Sequence, residues 1–315
     1  MKILRLVALL IAFLGASAAS ALEPGKPIRI VVPYGPGGLV DVMSRILASQ
    51  MTQALSQPVV VENRAGANAN LGPVLVVHEA PDGHTLLASA SYFTINPRIE
   101  KNLQWRPDAL APVARFASSP SLMVVPGNAP YSDMNGFIAA ARIKPGMPFG
   151  DGGVGAPQTM SKAMLERAAN VQFLSVYYKG GVSYLPDLVS GTLQMAILPV
   201  NLVLGMVRSG QLKALAITGA KRSPLLPEIP TMAESGFPQA TMESWVGLHL
   251  PAGTPRDVVD RLAVAVKFAA ANSEVQAQLE KLGATSAFLD TAAFTDFVRD
   301  DGMRVEGYVK LVEAK

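Results

Sequence analysis

Apolar residues along this chain come in two alternating patterns, short unbroken runs and stretches with helical spacing. Ile28, Ile30, Val31 and Val32 make a run of strand length, which Pro33, Gly35, Gly37 and Gly38 interrupt. From about Asp41 the spacing of Val42, Met43, Ile46, Leu47, Met51 and Leu55 is helical. The same logic predicts a strand over 58–61, a polar corner at 63–66 and a helix over 71–80 that tolerates Pro73 only near its first turn. A turn at Pro81-Asp82-Gly83 and a strand over 85–88 follow. Strand and helix in this order imply a mainly parallel sheet covered on both faces, with a ligand crevice at the strands' carboxyl ends. Two loops far apart in sequence, 34–39 and 89–91, then converge on one place.

Apolar runs at 113–116 and 122–125 precede a helix carrying Phe137, Ile138 and Ala141, and a lobe boundary is expected there. A second round of alternation follows. Phe149 leads into a glycine loop, then come helix 157–169, strand 172–176, helix 185–189, strand 194–198, helix 202–208 and strand 214–218. Pro224, Pro227, Pro230 and Pro238 stud an irregular connector before a strand at 245–250. Beyond Pro255 the pattern is helical almost throughout, and a last helix over 293–311 is expected to pack back on the first lobe. The organisation predicted is a leader at 1–21, a first lobe at 22–124, a second at 125–245, and a return to the first at 246–315.

Glycines 35, 37 and 38 carry no Cβ, so a ligand can approach the main chain, and the free amides of a helix start favour a negative charge. The same glycines also suit an ordinary strand-to-helix turn with no ligand. In the second half, Gly150-Asp151-Gly152-Gly153-Val154-Gly155 matches G-x-G-x-x-G letter for letter. A dinucleotide unit needs a solid strand before it and an acidic residue about 20 positions on. Here Pro145, Gly146 and Pro148 crowd the approach and Glu166 comes too early. As a second anion loop it fits better, because Pro157 takes the first helical position, where a missing N–H costs nothing. Two lobes would each present a glycine loop and grip a carboxylate from both sides.

The N-terminus changes the compartment. Lys2 and Arg5, an apolar run over 6–14 and the small residues Ala19-Ser20-Ala21 have the order of a secretory leader cleaved after Ala21. The apolar stretch falls short of the roughly 18 to 20 residues of a membrane span. Removing 21 of 315 residues leaves 294, enough for one large or two modest domains. Lys2 and Arg5 leave with the leader, so 27 basic and 24 acidic residues become a mature balance of +1. With no charge run, nucleic acid and a polybasic membrane patch are poor partners. The absence of cysteine excludes disulfides, thiol chemistry and a lipid-anchored cysteine.

Catalytic signatures are missing. His78, His84 and His249 have no H-E-x-x-H spacing, so no metal is expected, and there is no G-x-S-x-G elbow, S-x-x-K or Walker pattern. No cofactor is expected either.

Several ordered motifs then carry a resemblance: VVPYGPGGLVDVMSR, QPVVVENRAGANANLG, APDGHTLL, the INP at 95–97, the YKGG at 178–181, and RSPLLPEIPTMAESGFP leading to SWVGLHLPAGTP. From Ile28 to beyond Pro255 the chain resembles the solute receptors of tripartite tricarboxylate transporters, of the Bug type. The resemblance implies a two-lobed α/β periplasmic-binding-protein fold of type II, each lobe a mainly parallel sheet flanked by helices. It implies a monomer that closes by hinge motion on an organic acid and delivers it to membrane permease subunits. Carried onto this chain, the binding residues are Tyr34, Gly35, Gly37, Gly38, Leu39 and Asp41 in the first loop and Ser91 and Tyr92 in the segment 89–94. The second lobe contributes Gly153, Val154, Gly155, Ala156 and Thr159, together with Tyr178 and Leu198. Leu39 stands where the family often has a hydroxyl residue, Ala156 where serine is usual, and Leu198-Pro199 where aspartate and asparagine are common. These departures favour a ligand with an apolar or aromatic body, with Tyr34, Tyr92 and Phe93 nearby; packing of those rings in the core is the alternative. A sensor handing the same ligand signal to a membrane kinase, and an enzyme acting on a carboxylate, are the rival functions.

Overall fold

The structure is a computed structural model, and it describes residues 22–152, 156–178 and 181–313. The first lobe opens with β1 (Ile28–Val32), α1 (Leu39–Leu55), β2 (Val59–Asn63), α2 (Leu71–Val76), β3 (Thr85–Ser89) and α3 (Tyr92–Ile99). β1 lies between β2 and β3 and is parallel to both, the arrangement the alternating pattern implied. Burial follows the pleat: Ile28, Ile30 and Val32 pack with Met43, Leu47 and Met51 of α1, while Val31 faces the opposite core with Leu87, Tyr92 and Phe93.

The long strand β4 (Leu110–Pro126) carries the chain across. The second lobe follows with α4 (Met134–Ile143), β5 (Met147–Asp151), α5 (Pro157–Ala169), β6 (Phe173–Tyr177), α6 (Leu185–Ser190), β7 (Met195–Pro199), α7 (Val200–Arg208) and β8 (Leu212–Ile217). β5 is parallel to β6 and β7. After the proline-rich connector, β9 (Glu243–Pro251) returns antiparallel to both β3 and β4, followed by α8 (Arg256–Ala271), α9 (Ser273–Lys281), β10 (Thr285–Leu289) and α10 (Thr291–Glu313).

Four features depart from the expectations or add to them. The two runs at 113–116 and 122–125 form one strand, because Ser118 to Pro120 stay paired with β9 and Ser121 with β7, leaving no break between them. The partners of β4 change inside it, from β9 and β10 up to Pro120 to β7 and β8 from Ser121. Second, α3 has no counterpart in the predicted elements: burial of Phe93 and Ile95 holds this short helix despite Pro97 inside it. Third, β10 interrupts the helical C-terminal region by pairing antiparallel to β4. Fourth, α10 packs on the first lobe, as expected, and on the second as well. Val305 and Tyr308 share an apolar cluster with Ile95 of α3 and Met160 of α5, while buried Asp301 accepts from Thr94 Oγ1 at 2.6 Å and Trp245 Nε1 at 3.3 Å.

A close approach fixes how α10 lies on the sheet. A Cβ at Gly247 in β9 would stand 2.4 Å from Cζ of the fully buried Phe294. Gly247→Ala is therefore expected to destabilise by about 1–3 kcal/mol through overpacking, seen as a lower midpoint in chemical denaturation with an unchanged slope.

Candidate functional site

The strand carboxyl ends of β1, β3 and β5 each lead into a helix whose start lacks a side-chain cap. α1 follows extended Gly38, α3 follows Ser91, and α5 follows Ala156 with Pro157 in its first turn. By contrast α4 and α9 are capped by Asp133, which accepts from Gly136 N at 2.8 Å, and by Asn272, which accepts from Glu274 N at 2.8 Å. The start of α8 behind Pro255 is bare as well, so an uncapped helix alone means little. α2, α6 and α7 also start without a side-chain cap behind the parallel strands β2, β6 and β7. What sets the other three apart is that α1 and α5 follow the two glycine loops and α3 packs beside α5. Ile95 and Met160, near the starts of α3 and α5, pack in one cluster, which brings the two lobes' loops to a common edge.

The first loop is shaped by Asp41. Its carboxylate accepts from Gly37 N at 2.8 Å, from Asn63 Nδ2 at 2.8 Å and from Arg45 at 3.0 Å, and only 2% of the residue is exposed. Burial alone would raise this carboxyl, but the hydrogen bonds from Arg45, Gly37 and Asn63 together hold it below the usual carboxylate range. Asn63 also donates to Tyr34 O at 3.0 Å, tying both ends of the loop to the end of β2. Gly37 sits at φ +80°, a conformation that favours glycine. Asp41 thus spends its oxygens on the loop itself. Gly35, Gly37 and Gly38 are exposed, and Leu39 is half-buried against the first core.

In the second lobe a buried polar network underlies the loop. Asp151, at the end of β5, accepts from the hydroxyls of Thr159 and, at 2.7 Å, Ser175; Lys162 Nζ lies 3.8 Å from Asp151, 3.9 Å from Glu166 and 2.6 Å from Ser175 Oγ. Thr159 therefore closes the loop from its far side, joining the first turn of α5 to the strand end. Gly150 is present for packing: a Cβ there would lie 2.8 Å from the Tyr184 ring. Gly153, Val154 and Gly155 lie outside the described residues. Tyr178 donates to Asp187 at 2.6 Å, and that bond raises its phenol.

Of the two readings of the rings, core packing is the one that Tyr92 and Phe93 fit. Tyr92 is buried and donates to Ala88 O, and Phe93 stacks on His249 at 4.1 Å and tilts on Trp105 at 5.3 Å, so both serve the core. Tyr34, edge-on to Tyr92 at 5.9 Å, is the partly exposed one of the three. Leu198 points into the second lobe's core beside Leu122 and Val203. Ser91 Oγ, by contrast, is buried with no partner among the described residues. His249 is held neutral, its pKa pushed down to about 3 by burial, with Nδ1 2.7 Å from Ser89 Oγ. Among the described residues no group of three or more His, Asp or Glu could hold a metal ion. Sequence reasoning missed Asn63, Arg45, Asp151 and Lys162. Arg45 at four residues from Asp41 was the legible signal, whereas Lys162 and Asp151 are joined only by folding.

Comparison with known proteins places this geometry in context. The family model for the tripartite tricarboxylate transporter family receptor matches residues 43–313. Protein BugT of Bordetella pertussis is 30% identical over 323 aligned positions, covering 100% of this chain and 98% of its own length. Two solved structures of proteins from Rhodopseudomonas palustris align over 91% of this chain. MatC with bound malate has 29% identity and TM-score 0.73 over 100% of that chain; Rpa4515 with adipate has 26% identity and TM-score 0.79 over 97%.

Two variants test this anatomy. Asp41→Asn loses the charge-assisted bonds and is expected to cost about 1.5–3 kcal/mol at pH 7. Because the folded carboxyl titrates below its unfolded value of about 3.9, that deficit is present in full above about pH 4. It closes as the pH falls through the folded value, which urea midpoints at a series of pH values would follow. Lys162→Met removes the one ammonium within 4 Å of buried Asp151 and Glu166 among the described residues and is expected to cost about 3–5 kcal/mol, read as the shift in urea midpoint.

Proposed function

Since the chain belongs to the tripartite tricarboxylate transporter receptor family, a family of solute-binding receptors rather than enzymes, we propose that it captures an organic dicarboxylate between its lobes. The observation that carries this reading is the set of uncapped helix starts behind β1, β3 and β5, two in one lobe and one in the other. α1 presents its leading N–H groups and a positive dipole end to the crevice. Phe93 N and Thr94 N of α3 already donate to Ala90 O and Ser91 O, and α5 begins with Pro157 and bonds Thr159 N to Ala156 O, so these two starts act chiefly through their dipole ends. Arg45 pairs with Asp41, and Lys162, shared between Asp151 and Glu166, stands beside the second loop's acid, so each loop's carboxylate has a cation next to it. Ligand bridging the two sides stabilises the closed form, and a membrane permease then recognises that form.

The ligand is a diacid with an unsubstituted aliphatic body. Leu39 and Ala156 offer no hydroxyl to a hydroxy acid. Tyr92 and Phe93 are committed to the core and leave Tyr34 as the ring at the rim, which removes the case for an aromatic body. Relatives carry both kinds of diacid, malate in MatC and adipate in Rpa4515. Export to the periplasm, cleavage after Ala21 and delivery to permease subunits complete the reading.

Thermal unfolding across a panel of acids tests it. An unsubstituted diacid such as adipate at 100 times its Kd adds about 2.7 kcal/mol, a rise of roughly 5–10 °C for a chain near this size, with malate giving a smaller rise at equal concentration. No rise with any saturating diacid would contradict the proposal, and a larger rise with malate would reverse its choice of ligand.

A further inference from the structure

A cavity of about 490 Å³ lies across the lobe junction, and none of the residues at the starts of α1, α3 or α5 lines it. Its floor is the crossing strand, at Ser118 and Pro120, where β4 changes partners. One wall is first-lobe chain, Arg115 and the start of β10; the other is the second-lobe connector at Lys221 and Arg222. The pocket therefore touches both lobes and the strand that joins them.

Charge within it is unevenly committed. Arg222 pairs with Glu234 at 2.9 Å, and Glu243 accepts from Ala220 N at 2.8 Å, so both are already engaged. Arg115 is half-buried: Nε donates to Ala287 O at 2.8 Å and the guanidinium lies 4.5 Å above the Phe297 ring. Among the described residues no carboxylate stands within ion-pair distance of Arg115 or of Lys221. Burial works against the Arg115 charge, and the more distant Glu243 and Asp301 offset part of that cost. A guanidinium keeps its proton even so. Glu243 keeps its charge while bonded to an amide, and Glu280 is exposed at the rim with no partner among the described residues, so Arg115, Lys221 and Arg222 line the pocket against two acids, an excess of one positive charge. At the floor, the Ser118 and Thr285 hydroxyls lie 3.3 Å apart and can turn a donor towards the cavity.

We propose that this junction pocket binds a compact oxyanion with two or more negative charges, a phosphate or a small polycarboxylate. Arg115 supplies a planar fork of donors and Lys221 a second cation from the opposite lobe. The pocket is lined by residues of both lobes, so an ion held between them links the second lobe's connector to the first lobe beside the hinge strand. This assignment does not depend on the diacid reading of the crevice, since Lys221 touches none of those loops.

Isothermal titration of the mature protein at constant ionic strength tests it, with inorganic phosphate in one arm and citrate in the other to distinguish the two sources of oxyanion. Saturable binding is expected in at least one arm, weakened tenfold or more by Arg115→Met and several-fold by Lys221→Ala. Lys221 is exposed, so its variant remains folded even if Arg115→Met does not. Adipate-induced stabilisation is expected to be the same in Lys221→Ala as in the parent chain, which separates this pocket from the crevice. No saturable binding in either arm, or unchanged affinity in Lys221→Ala, overturns the proposal.

Discussion

An α-helix begins with N–H groups that nothing inside the helix can satisfy, and a chain has to cap them, wet them or offer them to a ligand. This protein caps α4 and α9 with side chains and leaves α2, α6, α7 and α8 bare along with three others, α1, α3 and α5. Those three start at the carboxyl ends of parallel strands, where the sheet's own connectivity brings loops together. Most of the surrounding structure can be understood as holding these helix starts in position while keeping fixed negative charge from dominating them.

Both lobes solve the second problem in the same way. Each glycine loop has a buried carboxylate near it, Asp41 in the first turn of α1 and Asp151 at the end of β5. An uncompensated acid there would compete with an incoming one. Arg45 answers Asp41 from one helical turn away, and Lys162 answers Asp151 from the first half of α5. These pairs also fix the loops: Asp41 holds Gly37 N, and Thr159 bonds Asp151 across the second loop. Satisfied buried networks of this kind favour one geometry over its neighbours, so the Gly37 amide and the first turn of α5 are held in place.

Much of the fold was legible because its strands are short, buried and separated by strong turn residues. Periodicity gave β1, α1, β3, α5 and β7 to within a few residues, and the glycine loops between them followed from the breakers. What failed shares one cause, tertiary contacts overruling local signals. α3 forms around Pro97 because Phe93 and Ile95 are buried, and β10 forms because β4 has a free edge there. The site was half legible. Gly37, Gly38 and Ala156 stand at helix starts as the spacing implied, and Asp41 lies where it was expected but works on the loop. Tyr92 and Leu198 were misread as crevice residues because one-dimensional proximity to a loop says nothing about which side of a strand or helix faces it.

The central claim is that main-chain amides and dipole ends at helix starts, rather than cationic side chains, hold the acid. A crystal structure of the protein with a bound diacid tests it most directly. The account predicts a carboxylate oxygen about 2.7–3.2 Å from main-chain nitrogens in the first turn of α1 and the other carboxylate facing the start of α5, with Asp41 still bonded to Gly37 and Arg45. A diacid whose carboxylates are instead paired with arginine or lysine side chains, with both helix starts facing open water, would contradict it.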